Sequence, residues 1–278
     1  MTIAPLVWLI TVPAAAHHEA IFGPASPLVF SGTRYFTAQV FTRRTGPPVE
    51  RVQETTTVLS GGFSPTRVPV SISVVMPFSV IASGVNGGTR VGLENAIVMA
   101  RYSVKLSAVE RALGVEDSYV LGGGGIELPT GTVDYNFGQG APALVGGGLF
   151  SVERRPFSLI GYGFLQRYVE RHQIRDSGHT FMGVGLAWTP IDVSTHGRIL
   201  SLQLGLSRES ASREVLAGIQ QADSGGWALV AHPSVVWGPG DDVLFFAMTS
   251  FALAHDWRDP ADQERFRIGA GTILTFGR

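Results

Sequence analysis

"WALVAHPSVVW" occupies residues 227–237, and its length decides the fold. In an extended chain Trp227 and Trp237 share a face, ten residues apart. At about 3.3 Å per residue they lie roughly 33 Å apart along the strand. A strand tilted by about 40° converts that into about 25 Å of height, which is the apolar band of an outer-membrane barrel with an aromatic girdle at each edge. Strands of soluble proteins are usually only about 5–6 residues long. The closing stretch "RFRIGAGTILTFGR" (265–278) repeats the spacing with Phe266 and Phe276. Ile268, Ala270 and Leu274 lie between them on the same face, with Gly269 and Gly271 opposite. Trp227, Trp237, Phe266 and Phe276 are therefore the expected girdle residues.

The same period of two runs through the rest of the chain. In "VPVSISVVMPF" (68–78), Val70, Ile72, Val74, Met76 and Phe78 alternate with Ser71 and Ser73 on the other face. In "ILSLQLGLS" (199–207), Leu200, Leu202, Leu204 and Leu206 alternate with Ser201, Gln203 and Gly205. "FMGVGLAW" (181–188) sets Met182, Val184, Leu186 and Trp188 against Gly183, Gly185 and Ala187. Twelve such segments are expected, at 33–44, 50–62, 67–81, 90–104, 118–127, 143–152, 157–168, 178–189, 198–208, 227–237, 243–254 and 265–277. The fold class is all-β, a transmembrane antiparallel up-and-down β-barrel of about twelve strands over residues 33–278. An even count places both ends on the periplasmic side, with short turns there and longer loops outside. Between the fourth and fifth segments, "KLSAVERALGVED" (105–117) places Leu106, Val109 and Leu113 at helical spacing before Gly114, which predicts a small surface helix over a turn.

Composition agrees. Charged residues make up 15%, against roughly 25% in an ordinary soluble protein. Mean hydropathy is +0.21 and there are 35 glycines, yet no apolar run approaches the roughly 20 residues of a membrane helix. A net charge of -1 gives no sign of bulk attraction to nucleic acid. The absence of cysteine excludes disulfides and thiolate metal sites.

The first residues predict a signal peptide over 1–16, with an apolar core from Ile3 to Val12 and small residues Ala14 and Ala16 before His17. No Lys or Arg precedes Arg34, so the positive leader of such a segment is missing, which points to a truncated or misplaced start. Residues 17–32 read as an N-terminal periplasmic segment. His17, His18 and Glu19 form the weak metal-binding candidate, since two imidazoles, a free amine and a carboxylate chelate Cu(II) or Zn(II). The more ordinary reading is a solvated terminus.

No other chemistry is expected. "LGGGGIELPTG" (121–131) lacks the Lys-Ser/Thr step of a phosphate loop, and its glycines suit a curved barrel wall. His232 and Ser234 share a face of one strand at a spacing that makes no catalytic triad, so an enzyme is not expected, nor a cofactor. Pro77 and Pro233 fall inside strands, where a barrel accommodates them at an interruption of the ladder, and such kinks can open lateral gaps in the wall.

"GIELPTG" (125–131), "GQGAP" (138–142), "FFAMTSFALAHDW" (245–257) and "DQERFRIGAGTILTFGR" (262–278) together resemble the outer-membrane transporter-like family named for the MetA pathway of phenol degradation. The resemblance implies a Gram-negative outer-membrane barrel that passes small, often hydrophobic or aromatic solutes and carries no catalytic residues. One departure is the ending Gly277-Arg278, where outer-membrane proteins commonly finish on an aromatic read by the assembly machinery.

The expected function is thus a porin-like channel, with the lipid bilayer, the outer-membrane assembly machinery and a small solute as partners and no nucleic acid. Ser71, Ser73, Ser201, Gln203, Arg265 and Arg267 lie opposite clear apolar faces and are the candidate lumen-lining residues. Arg265 and Arg267, near the outer mouth, lead one to expect a preference for anionic solutes. The competing reading is a non-conducting barrel that serves as a scaffold or presents His17 and His18 to periplasmic metal.

Overall fold

The computed structural model describes residues 34–46, 52–65, 69–83, 88–131, 141–170, 174–175, 178–222, 224–240, 242–259 and 264–276. The expected signal peptide, the segment 17–32 and the candidates His17, His18 and Glu19 lie outside the described residues. The first elements are β1 (Arg34–Thr45), β2 (Val52–Phe63), β3 (Val70–Ser83), β4 (Thr89–Leu93), β5 (Ala96–Lys105), α1 (Ser107–Leu113), β6 (Asp117–Leu128), β7 (Ala143–Arg154) and β8 (Phe157–Tyr168). They continue with β9 (Ile174–Arg175), β10 (His179–Ile191), α2 (Val193–His196), β11 (Ile199–Ala211), β12 (Val215–Leu216), β13 (Ile219–Gln220), β14 (Gly226–Gly238), β15 (Val243–Trp257) and β16 (Glu264–Phe276).

Each long strand pairs antiparallel with its neighbour, and β1 pairs with both β2 and β16, so the sheet closes on itself. β4 and β5 pair with successive parts of β3 and form one stave. The barrel therefore has twelve staves, as the alternation predicts, and most expected boundaries agree within two residues. Closure is what allows such a sheet to exist in lipid, because an open edge would leave backbone groups unpaired. Arg34 pairs with Phe276, so the first and last staves meet at one rim. The short β7–β8 turn lies at the same rim, which is the periplasmic one by the rule of short inner turns. At that rim α1 ends on Gly114 in a left-handed conformation and buries none of its residues. It is a surface helix over the β5–β6 connection. Strands β9, β12 and β13 form a small separate sheet that joins two loops beyond the opposite rim.

Both prolines interrupt the ladder on one side only. Pro77 pairs with Val58 of β2, but its missing N–H leaves the other neighbour without a ladder partner. That neighbour breaks between β4 and β5, and the register to β3 shifts by one residue there. The Glu94 N–H donates to the Pro77 carbonyl at 3.1 Å, and the extra residue turns Glu94 and Asn95 both into the buried face, as a bulge does. Pro233 pairs with Leu204, while pairing to β15 skips His232 and Pro233 and resumes at Ser234 in the same register.

Alternation sorts the side chains cleanly. On β3, Ser71, Ser73, Val75 and Ser79 are buried, and Ile72, Val74, Met76 and Phe78 are exposed. On β11, Ser201, Ser207 and Glu209 are buried while Leu202, Leu204 and Leu206 are exposed. In a closed barrel the buried face is the interior. The large hydrophobics are thus displayed outward, inverted relative to a soluble protein.

Candidate functional site: the barrel interior

The middle of the interior is apolar. Phe41, Val58, Val75, Ile97, Met99, Leu121, Val145, Leu149, Tyr162, Phe164, Phe181 and Met248 belong to one buried cluster drawn from nine staves. A smaller cluster of Ile199, Val236, Leu244, Phe246 and Ile273 lies toward the periplasmic rim. Several rings pack closely over glycine. A Cβ added at Gly269 would meet Phe41 at 2.5 Å, and one at Gly271 would meet Phe246 at 2.7 Å. Tyr162 and Phe164 also pack on Phe181, with centroids 6.2 and 5.0 Å apart. Inward glycines therefore make room for aromatic rings, which a side chain at those positions would push toward the axis.

Above this belt, toward the extracellular rim, buried polar groups link stave to stave. The Arg43 guanidinium donates to Glu54 Oε2 from Nη2 at 2.5 Å and from Nε at 3.1 Å. Thr56 donates to Glu54 Oε1 at 3.2 Å, and the Ser79 hydroxyl bridges Glu54 and Glu94. Asn95 donates to Glu127 at 2.7 Å, and Gln166 and Tyr168 donate to the same carboxylate. On the far side Arg267 of β16 contacts Glu264 at 2.6 Å and reaches over two staves to Glu209 of β11 at 3.7 Å. These contacts form a collar around most of the circumference. Its members are nearly all buried, with Glu127 at 0% and Arg267 at 1% exposure. Pairing and hydrogen bonding are what make such burial tolerable.

His232 sits beside the collar. Its Nε2 lies 2.7 Å from Ser207 Oγ and its Nδ1 lies 3.0 Å from Ser250 Oγ, on the two flanking staves. Ser234 turns instead toward Gln203 at 3.4 Å. The histidine is held between two hydroxyls with no carboxylate on its ring, and all three residues are at most 1% exposed, which describes a structural bridge rather than a nucleophile and base open to substrate. Among the described residues no group of three His, Cys, Asp or Glu is placed to hold a metal.

Of the lumen-lining candidates, Ser71, Ser73, Ser201 and Arg267 are buried on the inward face, and Gln203 is partly buried there. The side chain of Arg265 lies outside the described residues. Arg267 is not a lone cation at the mouth, because two carboxylates flank it. Sequence reasoning did not single out Glu54, Glu94, Glu127 and Glu209. The signal was in phase counting: Glu209 falls in step with Ser201, Gln203, Gly205 and Ser207, and Glu127 with Gly123 and Gly125. An isolated acid on the small-residue face of a strand points inward.

Outside, the girdle residues lie on the outward face of their strands. Trp237 stacks on Phe245 with centroids 5.6 Å apart, Trp227 lies under the Arg208 guanidinium, and Phe266 under that of Arg44. Phe276 is exposed at the periplasmic rim. Arginines over aromatics at the outer edge of an apolar band suit a lipid–water boundary.

A closed antiparallel wall with an apolar exterior defines a transmembrane β-barrel of the bacterial outer membrane. Comparison with known proteins gives the same fold: the chain is similar to the COG4313 outer membrane channel from Pseudomonas putida F1, with a TM-score of 0.68 at 13% identity over 89% of this chain and 97% of that one. Weaker likenesses are to LpxR from Salmonella typhimurium (TM-score 0.49, 9% identity, 87% of this chain and 100% of that one) and to the KdgM porin (0.46, 9%, 88% and 99%). No family model matches the chain. No curated protein matches it.

Proposed function

We propose that this chain is an outer-membrane channel for small hydrophobic or aromatic solutes, of the kind found in the MetA-pathway family of phenol degradation. The observation that carries the reading is the apolar belt inside the barrel. Porin interiors are polar and water-filled. Here Phe41, Met99, Tyr162, Phe164, Phe181 and Met248 face inward at mid-height. Rings and thioethers at that depth suit aromatic solutes and disfavour sugars. The ladder interruptions at Pro77 and Pro233 support a route that includes a lateral opening. The outer-membrane assembly machinery would insert the barrel, with Phe276 on the outward face of the closing strand.

One observation favours the alternative of a non-conducting barrel: the inward side chains are almost all buried. Flux into proteoliposomes separates the two readings. Toluene-sized aromatics should enter faster than sugars of similar mass, and replacing Phe164 with Gln should lower that preference. Folded barrel that passes neither solute class would overturn the channel reading.

A further inference from the structure

Resting on the channel reading, we propose that the collar is a charge filter that favours cations and amine-bearing solutes over carboxylates. Five carboxylates take part in it: Glu54, Glu94, Glu127, Glu209 and Glu264. Two guanidiniums oppose them, Arg43 and Arg267. Glu54 and Glu94 share the Ser79 hydroxyl. The collar thus holds more acidic than basic side chains. Arg90, partly buried and inward on β4, stands four residues nearer the extracellular end than Glu94.

A second observation points to a donor-bearing or cationic occupant. Glu94 Oε2, Glu209 Oε1 and Gln166 Oε1 are buried acceptors with no hydrogen-bond partner. All three residues are at most 3% exposed. Buried acceptors without donors are costly, and a passing ammonium or metal cation would relieve that cost where a carboxylate would add to it. This reverses the anion preference that Arg265 and Arg267 suggest in the sequence, because the Arg267 charge is already compensated.

The test is the reversal potential of the full-length barrel in planar bilayers under a potassium chloride gradient. Wild type should be cation-selective. Glu94→Gln and Glu209→Gln keep side-chain shape, and Arg267 retains Glu264 in the second. Each should lower the potassium-to-chloride permeability ratio by about tenfold, because a unit charge some 6 Å away in a water-like medium shifts the cation and the anion by about threefold each in opposite directions. Together they should bring the ratio close to one, while Glu94→Asp keeps it high. The heat-modifiable gel shift of the folded barrel confirms that each variant has folded. Anion selectivity in the wild type, or a ratio unmoved in the folded double variant, overturns the filter alone. No conductance from folded wild type overturns the channel reading and the filter with it.

Discussion

Replacing Leu204 with arginine tests whether the outward face lies in lipid. Leu204 is 60% exposed, among outward neighbours Leu202 and Leu206. It is the sixth residue of β11, five steps from Ile199. Five steps at about 3.3 Å, on a strand tilted by about 40°, place it roughly 13 Å above the periplasmic end of an apolar band about 25 Å tall. That is the bilayer midplane, where an arginine costs ~2–4 kcal/mol, against ~0–1 kcal/mol near an interface. Trp237→Arg, at the rim, is the control for position. On a surface facing water, a substitution of this kind changes stability by no more than about 0.5 kcal/mol. The assay is urea-dependent folding into phospholipid vesicles, followed by tryptophan fluorescence and the gel shift. Leu204→Arg should be the costlier change by at least about 1 kcal/mol. Equal and near-zero costs at both positions would refute the lipid-facing assignment.

Two further predictions concern the wall and the collar. Within the single run "GGGG" (122–125), Gly122→Ala should be tolerated because a Cβ there meets nothing within 4 Å, whereas Gly125→Ala drives a Cβ onto the Val98 carbonyl and to 2.9 Å from the Met99 Cα, so the same urea titration should show a loss of about 1–3 kcal/mol only for Gly125. Arg43→Met leaves Glu54 buried without its cation and should cost about 3–5 kcal/mol, most of it recovered in Arg43→Met with Glu54→Leu. A single variant as stable as the wild type would show that the pair contributes nothing to stability.

The wall was legible in the sequence because its rules are local. Alternation needs only neighbours, and girdle spacing needs only strand length, so "WALVAHPSVVW" and "RFRIGAGTILTFGR" were enough to set height and facing. The helix at 107–113 was legible from Leu106, Val109 and Leu113 followed by a capping glycine. The interior was less so. Arg267 and Glu209 lie 58 positions apart and meet only because closure brings β16 back beside β1 and curves β11 toward it. Counting charge on Arg267 alone left out Glu264 and Glu209, which flank it only in the folded barrel. The break at Glu94–Asn95 was hidden for a related reason: its cause, Pro77, lies on the neighbouring stave. Likewise the small sheet of β9, β12 and β13 rests on two-residue pairings between separate loops, too short for any periodicity to register.

The central claim is that solute passes along the inward face, and the absence of cysteine makes a direct measurement simple. Single cysteines at inward Ile97 and Val145 and at outward Val98 and Leu204 would be exposed, in proteoliposomes, to a small membrane-impermeant methanethiosulfonate. The account predicts labelling at Ile97 and Val145 that slows when a small aromatic solute is present, and no labelling at Val98 or Leu204. Labelling of the outward pair, with the inward pair inert, would contradict it.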